Sequence, residues 1–187
     1  MQHIPKNAVY TSPKIQNEVI EILAEMVREN IVADIKSSDV PWFTLLEDGT
    51  RDKNNRENVS IGIRYVKEGK VFESLLGIYT TKKLDAKTFT ELTLDILEKN
   101  NIDTSRLLSQ CYDGASVMSG KKGGVAALIQ ISLNRIVPYL HCYNHRLHLI
   151  VVKMVSEITV VKQFFDQCIL LHYFFQQLQQ FMKDIRL

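Results

Sequence analysis

The order of strand-like and helix-like segments constrains the fold of this chain more than any other feature of its sequence. Three strand-like segments follow one another directly: Trp42 to Glu47, the alternating run "NVSIGIRYV", and "VFESLLGIYT". Short polar links join them, which is typical of an antiparallel meander. Two further strand-like segments, "SRLLSQCY" and "VPYLHCY", are each preceded by a helical pattern. This order predicts an α/β fold in which helices cover a mixed sheet.

A helical pattern precedes the first strand. Pro13 fits the first helical position and Ser12 fits the N-cap, and the apolar spacing continues to about Ile35. The sequence contains no internal repeat and no low-complexity linker. We therefore interpret residues 1–40 as an N-terminal helical extension and residues 41–187 as the core domain.

Composition limits the class of protein and the compartment. Hydrophobic residues make up 45% of the chain and charged residues 24%, the balance of a soluble globular domain. The net charge of +2 argues neither for nor against nucleic acid. No apolar run approaches the roughly 20 residues that a membrane span needs, and the opening "MQHIPKNAVY" lacks a signal-peptide core. Three cysteines without paired spacing suggest a reducing, intracellular compartment.

Two Asp-Gly pairs close predicted strands. Asp48 follows the first strand and Asp113 follows the fourth. If the fourth strand returns by a right-handed crossover to lie beside the first, both carboxylates emerge at the same end of the sheet. Adjacent carboxylates repel unless a cation lies between them, and Mg²⁺ needs only one or two of them. The alternative is that Asp-Gly is simply a common turn dipeptide.

Other polar residues and a glycine-rich stretch lie near these Asp-Gly pairs, and none of them has an assigned role. Glu47 and Asp52 are either helper ligands or solvated loop charges. The stretch "GASVMSGKK" is not a phosphate-binding loop, because five residues separate its glycines and Lys122 stands where the motif needs Ser or Thr.

The segment "HCYNHRLHL" contains Cys142 and His145 at a spacing that forms half of a zinc site. The other half is missing, since Cys111 and Cys168 are single and distant. The alternative is that His145 forms a hydrogen bond with a backbone group where a strand passes into a helix.

The C-terminal segment "VKQFFDQCILLHYFFQQLQQFMKDIRL" is helical and very apolar, and it holds five of the eight phenylalanines. It has no Gly cap and no polar tail. We expect this Phe-rich helix to pack against a protein partner or against a further part of a longer chain.

Three stretches together resemble the hAT superfamily of DNA transposases and their domesticated relatives, among them zinc-finger MYM-type proteins. The stretches are "DGTRDKNNRENVSIGIRYV", "CYDGASVMSGKKGGVAALI" and "LHCYNHRLHLIV". The resemblance covers roughly Trp42 to Lys153. It implies a ribonuclease H-like fold whose sheet has three antiparallel strands followed by two parallel ones. It also implies a nuclear location and DNA as the ancestral partner.

The resemblance also implies roles for single residues. Asp48 and Asp113 match the first two catalytic aspartates, which hold Mg²⁺ or Mn²⁺, and Cys142 and His145 match a motif near the active site. The family's third acid is a glutamate beyond a long helical insertion, and no motif gives that role to Glu157 or Asp166. The core is therefore expected to be incomplete at its C-terminal end.

Three functional hypotheses follow. The main one is the N-terminal part of a hAT-type transposase catalytic domain, ancestrally performing metal-dependent DNA strand cleavage and transfer and inactive alone for lack of the third acid. The alternative is a domesticated nuclear protein-interaction module that keeps the aspartates as relics. An unrelated ribonuclease H-like hydrolase would require the lone chain to cut nucleic acid with metal.

Overall fold

The computed structural model of the protein describes residues 10–38, 40–53, 56–81, 83 and 85–185. Its five strands form one sheet in the order β3-β2-β1-β4-β5. The strands are β1 Val40–Arg51, β2 Glu57–Lys67, β3 Lys70–Thr81, β4 Leu107–Tyr112 and β5 Tyr139–His141. β1 pairs with β2 and β2 with β3 in antiparallel fashion, whereas β4 runs parallel to both β1 and β5. The predicted mixed sheet, three antiparallel strands followed by two parallel ones, is confirmed.

Six helices accompany the sheet in the described part of the chain. They are α1 Pro13–Ser37, α2 Ala86–Lys99, α3 Ser116–Ser119, α4 Val125–Ser132, α5 Tyr143–Glu157 and α6 Thr159–Ile185. The predicted interruption in the glycine-rich stretch is present between α3 and α4. The predicted C-terminal helix is bent at Ile158, where the backbone hydrogen bonds from Ile158 to Met154 and from Lys162 to Ile158 continue the helical pattern.

Local sequence signals explain where several elements begin. Ser12 caps α1 by accepting the Ile15 amide at 3.3 Å, and Asp85 caps α2 by accepting the Thr88 amide at 2.8 Å. Glu68 and Gly69 both have positive φ, at 51° and 69°. Two positive φ values in a two-residue link are those of a type I′ turn, whose twist matches that of the β2–β3 hairpin.

The core lies on one face of the sheet. Phe43 and Leu45 of β1 and Ile61 and Ile63 of β2 are almost fully buried, and alternation sends their intervening neighbours to the opposite face. Further core residues come from α1, α2, α4 and the parallel strands: Ile31, Ile35, Phe89, Ile96, Leu97, Leu107, Tyr112, Val125 and Ile129. Helix α1 contributes Ile31 and Ile35 at its C-terminal end, whereas its earlier apolar residues Leu23 and Met26 are more than half exposed.

The chain divides into two compact units between Cys142 and Tyr143. The first, the sheet unit, contains α1 to β5. The second, the helical unit, consists of α5 and α6. The boundary between the N-terminal extension and the core domain, predicted at residue 40, stays a prediction.

Candidate active site at the end of strands β1 and β4

The register of β1 and β4 positions the two predicted aspartates. The last paired residues of these parallel strands are Leu46 and Cys111. Asp48 and Asp113 each lie two residues further on, so they reach the same end of the sheet. Because side chains alternate with a period of two, Asp48 lies on the face of Leu46 and Asp113 on the face of Cys111, which is the same face. The strand arrangement that was predicted for these two residues is therefore present.

Asp48 does not close its strand, which corrects the sequence prediction. β1 continues to Arg51, and Asp48 is paired with Ser60 and Gly49 with Val59. The Ser60 hydroxyl donates to the Asp48 carbonyl at 3.0 Å, and the Asp48 side chain is exposed. Asp and Gly are poor strand formers, but the long antiparallel ladder outweighs that local preference. The Asp48-Gly49 pair is consequently not a turn.

The hairpin bend lies further along, beyond Arg51. Asp52 accepts the Arg56 amide at 2.8 Å through its carboxylate, and its own amide donates to the Arg56 carbonyl at 2.9 Å. This side chain therefore shapes the hairpin, which accounts for an acid at that position without a ligand role.

Asp113 follows β4 directly, as predicted, and its position is fixed from two sides. The Ala115 amide donates to its Oδ1 at 3.1 Å, and the Tyr139 hydroxyl of β5 donates to its carbonyl at 2.9 Å. Burial, and secondarily the charge of Asp113, raises the pKa of Tyr139. Tyr139 therefore remains a neutral hydroxyl donor and holds the backbone that carries the Asp113 carboxylate.

The two glycines that follow the aspartates have different surroundings. A Cβ added at Gly49 would meet nothing within 4 Å. A Cβ added at Gly114 would lie 2.5 Å from Cε1 and 3.0 Å from Nε2 of His141. The imidazole of His141 thus packs directly on the backbone next to Asp113. No local sequence signal indicates this contact, because it depends on the pairing of Tyr112 with His141 in the β4–β5 ladder.

Glu47 lies on the face of the sheet opposite Asp48, and its interpretation as a helper ligand or a solvated loop charge is wrong. It is 6% exposed and accepts a hydrogen bond at Oε1 from the Thr93 hydroxyl of α2. Its Oε2 is buried and has no hydrogen-bond partner among the described residues. Burial raises the pKa of Glu47 to about 7, and the Thr93 hydrogen bond opposes that shift.

Two buried side chains adjoin Glu47 under the sheet. Burial, with a smaller contribution from the charge of Glu47, raises the pKa of Tyr112 well above its ordinary value. The Tyr112 hydroxyl donates to Gln110 Oε1 at 2.8 Å, and Gln110 Nε2 donates to the carbonyls of Ala126 and Val137 at 2.9 Å each. This network joins β4 to α4 and to the segment before β5. Glu47 is buried on the core side of β1 against Thr93, so it is part of the core rather than of the aspartate site.

The predicted motif residues Cys142 and His145 lie in different units. Cys142 ends the sheet unit, where its amide donates to the Tyr112 carbonyl at 2.8 Å. Burial, and secondarily the nearby Cys142 thiol, raises the pKa of the Cys111 thiol. His145 lies in the first turn of α5, in the helical unit. The role of the pair stays a prediction.

Among the residues that the structure describes, none is singled out as the third acid. Glu157 is exposed on α5, 3.9 Å from the Lys153 ammonium, and Asp166 is exposed on α6. Within the described residues, no three His, Cys, Asp or Glu side chains are grouped so that they could hold a metal ion. Any ion at the sheet end would therefore depend on Asp48 and Asp113, completed by water or substrate oxygens.

Residues 1–124 match the model of the DUF4371 family, described as the ZMYM1/FAM200, RNase-like domain. The chain belongs to this family. The match includes both Asp48 and Asp113, and it identifies residues 1–124 with the RNase-like domain of transposon-derived ZMYM/FAM200-type proteins. The mixed five-stranded sheet described above fits that domain.

Several solved structures show a distant likeness to this ZMYM1/FAM200-type chain. YeaZ from Pseudomonas aeruginosa is 16% identical with a TM-score of 0.31, over 54% of this chain and 43% of its own. Human ENDOV is 13% identical with a TM-score of 0.36, over 74% and 67%. The catalytic domain of human Endonuclease V is 12% identical with a TM-score of 0.35, over 63% and 56%. The chain thus spans less than half of YeaZ.

No helix within the described residues is both long enough and apolar enough to span a membrane.

Proposed function

We propose that the sheet unit is the N-terminal part of a hAT-type transposase catalytic domain, whose ancestral chemistry is metal-dependent cleavage and transfer of DNA strands. One observation carries the proposal: the parallel register of β1 and β4 takes Asp48 and Asp113 to the same end and the same face of the sheet. The family match supports it, because both residues lie inside the matched segment. Neither residue is buried, so a nucleic-acid phosphate has access to both.

The two carboxylates fit a hard divalent ion, Mg²⁺ or Mn²⁺. Such ions take oxygen ligands and keep several waters, so one or two carboxylates and a substrate phosphate complete the site. When bound, the ion would neutralise charge on the phosphate and lower the pKa of a bound water. The protein would contribute position, since Tyr139 and the Ala115 amide hold Asp113 while the Ser60 hydroxyl anchors the backbone of Asp48.

We expect little or no strand cleavage by this chain alone. The third acid of the transposase pattern has no assigned residue here, and two carboxylates offer fewer ligands than a site that clamps both the attacking and the leaving oxygen. DNA is the proposed partner and the nucleus the proposed location, both on the ground of the family resemblance. Metal-dependent cutting of nucleic acid by the lone chain would contradict this expectation of inactivity.

Mn²⁺ binding tests the site directly. The electron paramagnetic resonance signal of free Mn²⁺ should fall when wild-type protein is added. The double variant Asp48→Asn/Asp113→Asn should bind Mn²⁺ at least about tenfold more weakly, since loss of a ligand costs no less than loss of a residue that supports one. Glu91→Gln/Asp95→Asn is the matched control, because it removes two exposed acids of α2 and should bind as wild type does. Equal binding by all three proteins would reject the site.

A second candidate function rests on a different observation. Phe164, Leu171 and Phe175 of α6 are each more than half exposed, and no described residue of α5 or α6 is buried. Large exposed apolar surfaces mark protein interaction sites. In this alternative the domain is a domesticated protein-interaction module in which the Phe-rich helix is the contact surface and the aspartates are relics. A chain that remains monomeric and fails to bind an apolar dye would argue against it.

A further inference from the structure

Apolar side chains recur along α6 with alternating spacings of three and four residues. This series, which we call the α6 seam, consists of Val161, Phe164, Cys168, Leu171, Phe175, Leu178 and Met182. A spacing of three then four, repeated every seven residues, places all of them along one stripe of an α-helix. That spacing is typical of helices that pair side by side.

Among the described residues of the helical unit, none covers the α6 seam. Phe164 is 59% exposed, Leu171 56% and Phe175 53%. The seam continues into α5 through Leu147, Ile150 and Met154, which are also more than half exposed, and Glu157 interrupts it near the bend. An apolar stripe of this length on a water-exposed helix is unfavourable unless another surface covers it.

The residues beside the seam indicate what covers it. In paired helices the charges that flank the apolar stripe set the choice of partner. The flanking positions of α6 contain no Asp, Glu, Lys or Arg; they are Val160, Phe165, Gln167, His172, Phe174, Gln179 and Phe181. Two identical α6 helices would therefore not place like charges opposite each other. The flanking positions also carry no charge that would favour a helix of different sequence and complementary charge. Asp166 and Lys162 lie away from the seam.

We propose that the α6 seam pairs with the same seam of a second copy of this chain. The available area is sufficient, because the seam side chains, exposed except for the partly buried Val161, and their flanking aromatic rings offer roughly 800 Å², about what one partner contributes to a stable interface. Ile169, Leu170 and Tyr173 are exposed outside the seam and are not needed for the pairing. A second copy of the chain would thus be the protein partner in the second candidate function. This pairing does not involve Asp48 or Asp113.

Sedimentation equilibrium of the whole chain tests the pairing. Wild type should be dimeric at concentrations of tens of micromolar, roughly the range expected for an interface of standard size without charged contacts. Leu171→Glu/Leu178→Glu places two charges in the seam and should weaken self-association at least about 100-fold. Gln176→Glu/Gln177→Glu adds the same two charges to the same stretch but outside the seam, and it should remain dimeric.

A second, milder pair of variants tests the pairing without unfolding α6. Phe175→Ala removes a seam ring that is 53% exposed, and Tyr173→Ala removes a ring of similar size that is 58% exposed outside the seam. Both add a strong helix former. Phe175→Ala should weaken self-association about tenfold, the effect of a modest interface contact, while Tyr173→Ala leaves it close to wild type. Circular dichroism should show unchanged helix content in both.

Two results would overturn the pairing. One is wild-type protein that is monomeric at every concentration, which would indicate a different protein or a further part of a longer chain as the occupant. The other is equal weakening by the seam and non-seam variants. Mn²⁺ binding measured on Leu171→Glu/Leu178→Glu separates the two proposals, because that variant should bind Mn²⁺ as wild type does even when it no longer self-associates.

Discussion

The sheet unit and the helical unit contain similar apolar helices with opposite surroundings. Leu97 of α2 is 0% exposed, packed in the core beneath the sheet, whereas Leu171 of α6 is 56% exposed. The difference does not come from residue type, since both are leucines within amphipathic or strongly apolar helices. It comes from what lies opposite each helix. An apolar helical stripe is stable in water only when another surface covers it. The sheet covers the stripe of α2, whereas the described residues of the helical unit leave the stripe of α6 exposed.

The largest effect is expected when the same substitution, leucine to alanine, is made in both units. Leu97→Ala should cost about 2–5 kcal/mol of unfolding free energy, because it leaves a cavity in a close-packed core. Leu171→Ala should change it by less than about 0.5 kcal/mol when the protein is diluted well below the concentration at which it self-associates, as substitutions of exposed side chains usually do. Denaturant titration followed by the fluorescence of Trp42, the single tryptophan, reports on the sheet unit. Equal losses in the two variants would show that the contrast in exposure does not govern stability.

The buried carboxyl of Glu47 predicts an effect of similar size on pH dependence. Its pKa is raised from 4.5 to about 7 by burial, so the folded protein binds more protons than the unfolded chain between those values. The contribution of Glu47 to the free energy of unfolding is therefore fully present below pH 4.5. It falls by about 3 kcal/mol as the pH rises to about 7. Denaturant titrations from pH 4 to pH 8 should show this loss, and Glu47→Gln should remove it.

The difference between wild type and Glu47→Gln isolates this group from the other titrating residues. Glu73→Gln is a suitable control, because Glu73 pairs with Arg64 on the exposed face of the sheet. Should Glu47→Gln keep the wild-type slope, the buried carboxyl would not be the group that titrates.

A smaller effect distinguishes the two glycines of the site. Gly114→Ala should destabilise the sheet unit by about 1–3 kcal/mol, since the new methyl group would overlap the His141 imidazole. Gly49→Ala should be within about 0.5 kcal/mol of wild type, because nothing lies near its Cβ position and alanine suits a strand better than glycine does. Thermal unfolding of both variants measures the difference. A Gly114→Ala protein as stable as Gly49→Ala would show that His141 moves aside freely.

The element order was largely predictable, and particular residues explain why. The Ser12 cap, the alternation in β2 and the Glu68-Gly69 turn are signals that act within a few residues, so the sequence displays them directly. The end of β1 was predicted wrongly, at Glu47 instead of Arg51, because Asp48 and Gly49 are weak strand formers locally. Their pairing with Ser60 and Val59 across the hairpin, which the local pattern does not show, keeps them in the strand.

By itself, the sequence determined the element order, the mixed sheet and the two aspartates as candidates. Only the tertiary structure decided that Glu47 is buried against Thr93 and that His141 packs on Gly114. The physical reason is that periodicity, caps and turns depend on neighbours in the chain. Burial, pKa and contact depend on segments that folding brings together from dozens of residues away.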